Sequence, residues 1–239
     1  MKLLDVQELD AQLDTLNHQL ATMPETLKLK ELAERHREVD NAARDHRIEV
    51  DDLTREQKRA DADVEQVKTR QTRDQNLMDS GQVHNPKDLE RMLGEVESLK
   101  RRISSLEDTE LEVMERLETA QASLDERTAE LAEVDEQIAA VTAARDKKAG
   151  GLNDALITAA NDRKVAATGM PEDLMALYEK LRAQKGGVGA AALLQRRCTG
   201  CQINLNASDL GIIAKRPSDD VVRCEECDRI LVRTGESGL

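Results

Sequence analysis

Apolar residues return at alternating steps of three and four along most of this chain. Steps of seven from Leu89 meet Val96, Ile103, Glu110, Leu117, Leu124, Leu131 and Ile138, and steps of seven from Met92 meet Leu99, Leu106, Val113, Ala120, Arg127, Val134 and Val141. Only Glu110 and Arg127 interrupt the two ladders, so this segment is predicted to be a long helix with the narrow seam of a coiled coil. The segment before it has the same period with weaker residues: Leu32, Val39, His46, Leu53, Ala60 and Val67 on one ladder, Leu29, His36, Ala43, Val50, Gln57 and Val64 on the other. Between the two lies Asp79-Ser80-Gly81-Gln82-Val83-His84-Asn85-Pro86, where the glycine breaks one helix and Asn85-Pro86 suits the cap and first turn of the next. An antiparallel hairpin follows, with arms of about 60 residues that would each run ~90 Å.

Pro24 interrupts a shorter heptad run (Val6, Leu9, Leu13, Leu16, Leu20, Met23), which predicts a separate helix over residues 2–22 that folds back near the hairpin base. Gly150-Gly151 is a candidate end for the second arm, although Leu152, Ala155 and Ala159 would keep the register if the helix continued. Pro171-Glu172-Asp173 opens a further short helix through Leu174, Leu177, Tyr178 and Leu181, closed by Gly186-Gly187. The fold class is therefore mainly α: a coiled-coil hairpin domain with accessory helices over 1–185, a linker over 186–192 and a small C-terminal β module over 193–239.

Composition points the same way. The chain has no Trp, no Phe and one Tyr, and 35% of it is charged, which leaves little bulk for a thick core. The formal charge of −13 repels nucleic acid and anionic membrane at long range. Acids interrupt every apolar run of the N-terminal sequence, so no secretory or membrane segment is expected, and a cytoplasmic location is the default. No glycine-rich phosphate loop, Gly-x-Ser-x-Gly elbow or His-Glu-x-x-His motif is present, so no enzymatic activity is expected.

The four cysteines, Cys198, Cys201, Cys224 and Cys227, form two C-x-x-C knuckles. Two residues between thiols let a tight turn aim both sulfurs at one ion, and two such turns complete a tetrahedral set, as for one structural Zn2+ with no open position. The competing reading is a pair of redox dithiols. Val221-Val222-Arg223 and Arg229-Ile230-Leu231-Val232 are predicted strands, with Ile203 and Leu205 after the first knuckle. A module of this size should fold only with its metal, and zinc removal should unfold it while sparing the hairpin. Gln202 and Asp228 stand just after the knuckles, where glycine is common.

Arg196, Arg197, Lys215, Arg216, Arg223, Arg229 and Arg233 are the candidate nucleic-acid-binding side chains, although seven acids in 193–239 balance these seven bases and no aromatic ring is available for stacking. The second hairpin arm, residues 86–148, carries 10 bases and 17 acids. Most of these are read as a solvated face, but the tip residues Pro86, Lys87, Asp88, Glu90 and Arg91 form a candidate partner-binding surface. His36 and His46 fall on the seam, where they are expected to interrupt packing or tune pairing rather than bind metal. A helical hairpin can also zip against a second copy, which leaves a homodimer open.

The hairpin followed by "LYEKLRAQKGGVGA" and "CTGC…RCEECDRIL", together with the tip sequence "NPKDLERMLGEVESLKRR", resembles the bacterial C4-type zinc-ribbon family with an N-terminal coiled-coil hairpin, over nearly the full chain. The resemblance implies a kinked helical hairpin carrying a ribbon whose zinc ligands are Cys198, Cys201, Cys224 and Cys227. It also implies nucleic-acid binding, or protein partners in secretion, flagellar assembly or alternative sigma-factor control. Where many relatives carry aromatic residues after the second knuckle, this chain reads "RILVRTGESGL". Two functional readings result: a non-enzymatic adaptor for protein partners, and a nucleic-acid-binding regulator that uses the basic side chains of the ribbon.

Overall fold

A seam two side chains wide can bury only residues that recur with the heptad, and the buried positions obey that rule. The computed structural model describes residues 2–239. In order these form α1 (Lys2–Ala21), α2 (Pro24–Asp79), α3 (Pro86–Ala167), α4 (Glu172–Gln184), β1 (Ala190–Leu194), β2 (Arg197–Cys198), α5 (Ala207–Lys215) and β3 (Ile230–Arg233). They divide into two compact units, Lys28–Val141 and Met1–Leu27 with Thr142–Leu239.

The unit Lys28–Val141 is an antiparallel helical hairpin. Its buried apolar residues on α2 are Leu32, Val39, Ala43, Leu53 and Val64, and on α3 Val96, Ile103, Val113, Ala120 and Val134. All ten lie on the predicted ladders. Charged pairs flank the seam between the antiparallel arms: Arg35 with Glu130, Arg70 with Glu95, and Lys68 with Glu107 at 2.7 Å. His36 Nε2 faces Asp135 Oδ1 at 3.2 Å and His46 Nδ1 faces Glu49 at 3.4 Å, so both histidines pair with carboxylates beside the seam. At the turn, Asn85 Oδ1 accepts from the Lys87 N–H at 3.1 Å, which caps α3 as the Asn-Pro pair suggests.

In the second unit, α3 runs through Gly150-Gly151 without a break and ends at Ala167. Ala159, 2% exposed, keeps the register beyond the glycines, so their entropic cost of about 1 kcal/mol each is outweighed by continued packing. The segment 186–192 is not a free connector. Ala190, Ala191 and Ala192 belong to β1. Ahead of them, Gln7 of α1 donates from Nε2 to Gly187 O at 2.9 Å and accepts at Oε1 from the Gly189 and Ala190 N–H groups at 2.7 and 3.2 Å. A Cβ on Gly189 would meet the Tyr178 carbonyl at 2.7 Å, so only glycine fits there. The run Ala-Ala-Ala-Leu-Leu has no polar alternation because both of its faces are covered.

The three-stranded sheet has the order β2-β1-β3, with β1 antiparallel to β2 and parallel to β3. Successive strand residues point to opposite faces. Ala190 and Ile230 face Leu3, Val6, Tyr178 and Leu181 of α1 and α4, while Ala191, Leu193 and Leu231 face Leu205, Leu210, Ile213 and the cysteines. One sheet thus serves two cores. Of the predicted strands, Ile230–Arg233 forms, whereas Arg223 makes only an isolated bridge to Ile230, and helix α5 fills the stretch between the knuckles.

A buried carboxylate ties the helices of this unit together. Asp10 of α1 is 3% exposed; it accepts from Tyr178 Oη of α4 at 2.7 Å and from Arg163 of α3 at 2.6 and 3.1 Å. Arg182 Nη2 reaches Asp14 at 2.6 Å while its Nε lies 3.6 Å from Asp10, and Arg163 also meets Glu179. Burial, then the Asp10 carboxylate, push the Tyr178 phenol well above its ordinary value. Tyr178 is the sole aromatic fluorophore, so its emission reports on this unit. Asp10→Asn removes the buried carboxylate that Arg163 and Arg182 share, leaving them only the more exposed Glu179 and Asp14, and is expected to destabilise the unit by about 3 kcal/mol, read as an earlier Tyr178 transition in urea. An unchanged midpoint would mean that the network adds nothing net to stability.

Candidate metal centre

The two knuckles are built alike, atom for atom in the backbone. Cys198 N–H bonds to Ile203 O and Gln202 N–H to Cys198 O, at 3.0 and 2.9 Å; Cys224 N–H bonds to Arg229 O and Asp228 N–H to Cys224 O, at 3.0 and 2.8 Å. Each turn closes through a residue in the left-handed region, Gln202 at φ +65° and Asp228 at φ +68°. Neither is glycine, so each carries local strain that its surroundings must hold. Gln202 is held by its own side chain, which donates from Nε2 to Thr199 O at 2.6 Å.

The arginine that precedes each knuckle performs the same task twice. Arg197 Nε donates to Gln202 O at 2.8 Å, and Arg223 Nε donates to Asp228 O at 3.2 Å, five residues on in both cases. Arg223 also pairs with the Asp228 carboxylate. Each guanidinium therefore clamps the carbonyl of the left-handed residue and holds its turn around the thiols.

The four Sγ atoms lie within 4.8 Å of one another, with 3.9 Å between Cys198 and Cys227 and between Cys201 and Cys224. A Zn–S bond of about 2.3 Å in a tetrahedron places sulfurs about 3.8 Å apart, whereas a disulfide needs about 2.05 Å. The spacing fits a single structural zinc ion, and four thiolates leave it no position for substrate. Cys198 and Cys224 are buried, and Cys201 and Cys227 are half-buried. Burial is the main cause that pushes the Cys198 thiol up and the Cys224 thiol up to about 12, against backbone N–H groups that favour the thiolate. At Cys227 burial also pushes upward, but the Arg229 N–H, the Arg229 side chain and the neighbouring thiols outweigh it and bring the group down to about 7. Zinc must displace the protons that burial keeps on the thiols, so its affinity falls with acidification.

The other candidate basic residues are drawn into the fold to different degrees. Arg229 donates to Val188 O and Lys185 O, both at 2.9 Å, and thereby satisfies backbone after the end of α4. Arg233 donates to Ile213 O at 3.3 Å and Arg216 O at 2.8 Å and also reaches Pro217 O, gathering carbonyls from the last turn of α5 and the residues after it. Arg196 Nε donates to Gly238 O at 3.1 Å, and Arg216 lies 3.6 Å from Asp220. Lys215 is exposed and, among the described residues, has no ion-pair or side-chain hydrogen-bond partner. The tip residues Pro86, Lys87, Glu90 and Arg91 are exposed on α3, and Arg91 pairs with the half-buried Asp88 at 3.2 Å.

Comparison with known proteins agrees with this geometry. Residues 6–186 match the CT398-like coiled coil hairpin domain, and residues 197–231 match the C4-type zinc ribbon domain. The chain belongs to the CT398-like coiled-coil hairpin family. Uncharacterized proteins from two strains of Mycobacterium tuberculosis are 32% identical over 231 residues, spanning 97% of this chain and 94% of theirs. A solved Mycobacterium smegmatis structure superposes with a TM-score of 0.81 at 32% identity, over 98% of this chain and 96% of that one. CT398 from Chlamydia trachomatis gives a TM-score of 0.65 at 18% identity over the same shares, a likeness of fold.

Two outcomes test the centre in this family member. Chelation of zinc should perturb Tyr178 emission, because Ala190 and Ile230 pack on its cluster, while the far-UV helicity of Lys28–Val141 persists. Arg197→Ala and Arg223→Ala should each weaken zinc binding about 10- to 100-fold in chelator competition, as the loss of outer-shell partners does at other metal sites.

Proposed function

We propose that this chain is a non-enzymatic cytoplasmic adaptor: the coiled-coil hairpin engages protein partners, and the zinc ribbon is a rigid structural module. The observation that carries this reading is the turn end of the hairpin. Leu77, Leu89 and Leu93 are 40%, 37% and 55% exposed there, interleaved with Lys87, Asp88, Glu90 and Arg91. Leu77 and Leu93 lie off the seam ladders, and Leu89, the first rung of its ladder, is still exposed; three large apolar side chains in a charged rim have the composition of a protein contact. The C-x-x-C thiols are compatible with a reducing cytoplasm, where paired cysteines hold metal rather than form disulfides. Among the described residues no helix is long and apolar enough to cross a membrane.

The nucleic-acid reading is weakened by what the arginines do. Arg197, Arg223, Arg229 and Arg233 each hold backbone carbonyls, which commits part of their donors and fixes their direction, and seven acids in 193–239 offset the seven bases that would face phosphates. Partner capture by the zinc-loaded chain should persist after nuclease treatment and be lost in Leu89→Ser/Leu93→Ser. Capture that survives this double change would count against the tip. Anisotropy against pooled short RNA and DNA should show no binding at low salt; strong, salt-sensitive binding there would favour the nucleic-acid reading instead.

A further inference from the structure

Midway along the hairpin the heptad places an acid where the seam expects an apolar residue, and apolar residues where the surface expects polar ones. Glu110 occupies the ladder position, while the adjacent Leu111 is 57% exposed and Met114 is 42% exposed. Between them and the seam lies an open groove of about 730 Å³, floored by Leu111, Met114, Leu117 and Ala122 of α3. Thr54 and Gln57 of α2 close one side without charge, and Glu115, Glu118 and Asp125 line the rest. Among the described residues none of these three carboxylates has an ion-pair partner; Asp125 accepts only from Gln121, one turn back, at 3.0 Å. Over residues 107–126 the helix carries eight acids and one base, Arg116, which sits 3.6 Å from Glu56.

We propose that this groove is a docking site for a basic amphipathic helix of a partner protein. The inference rests on the adaptor reading but uses a surface distinct from the turn end. From Leu111 to Asp125 the groove follows fourteen residue steps, about 21 Å or four turns, the footprint of a helix that presents apolar anchors at i, i+3 or i+4 and i+7. Methionine accommodates such anchors without fixing their shape. Charge decides the occupant. A second copy laid symmetrically on this face would bring both copies' Glu115, Glu118 and Asp125 into one interface, where their like charges repel. Nucleic acid is anionic and is repelled for the same reason. A partner with lysine or arginine beside its apolar anchors meets three unpaired carboxylates and buries Leu111 and Met114.

The test uses the zinc-loaded full chain and a labelled helical peptide of about 18 residues, with leucines at i, i+3 and i+7 and lysine and arginine flanking them. Saturable binding is expected, weakened at least tenfold by Leu111→Ser/Met114→Ser and by Glu115→Lys/Glu118→Lys, and weakened by added salt. Because all four side chains are exposed, far-UV melting of these variants should match the parent chain. Two controls isolate the groove: Glu133→Lys/Glu136→Lys on the same helix, and the tip variant Leu89→Ser/Leu93→Ser, should both bind the peptide unchanged. No saturable binding overturns the proposal, as does equal binding of a peptide whose lysines and arginines are replaced by glutamate. Equal loss with Glu133→Lys/Glu136→Lys would reduce the effect to net charge and also overturn it. So would a dimer in sedimentation that Met114→Ser dissolves, since the occupant would then be a second copy. Each of these failures leaves the turn-end capture assay untouched, so the two surfaces stand or fall separately.

Discussion

The parallel pair of strands β1 and β3 is the constraint on which the smaller structural elements depend, because its two faces belong to two cores at once. Ala190 and Ile230 complete the packing of Tyr178, Leu181, Leu3 and Val6, while Ala191, Leu193 and Leu231 complete the packing around the cysteines. Neither core is large enough to hold a four- or five-residue strand by burial alone, and a module of this size is unstable without a cross-link. Zinc supplies the cross-link on one face, and the Asp10 ion network supplies the directional contacts on the other. Arg229 couples them: its backbone N–H and side chain favour the Cys227 thiolate, and its guanidinium binds the carbonyls of Lys185 and Val188 beyond α4. Loss of the metal is therefore felt by helices that hold no ligand to it.

The parts of this architecture that repeat along the chain were legible in the sequence, and the parts that depend on distant residues were not. Heptad ladders name every buried apolar residue of Lys28–Val141, because in a two-helix seam burial follows from register alone. The knuckles announce the metal for a similar reason: ligand spacing within a turn is local. By contrast, β1 falls in a run of alanines and leucines with no alternation, and only the presence of cover on both faces makes it a strand. Asp10 is one of 48 acidic residues and carries no local mark that it alone is buried under a tyrosine and two arginines. In the sequence the arginines beside the cysteines look like a surface charge pattern, yet a constant offset of five residues runs from Arg197 to Gln202 and from Arg223 to Asp228. Two identical frames around two metal knuckles signal a backbone clamp more directly than a phosphate contact. Gly150-Gly151 leaves the end of α3 open in the sequence, since helix propensity is a weak local preference that continued packing at Ala159 overrides.

Electrostatics then distinguishes the two modules. The seven basic groups of the ribbon are matched by seven acids, and a zinc centre with four thiolates adds a formal charge of −2, so no net positive field is left to project over the ~8 Å that physiological salt allows. The hairpin is the reverse case, with many of its carboxylates facing water unpaired. A seam glutamate such as Glu110 gains nothing from burial and weakens the ladder, whereas leucine there and a polar residue at 111 would strengthen it. A stability-optimised coiled coil would have made that exchange, because the two residues are adjacent and the change is conservative in composition. The exposed pair Leu111 and Met114 next to unpaired acids is the pattern expected when a surface is kept for contact at the expense of its own helix packing.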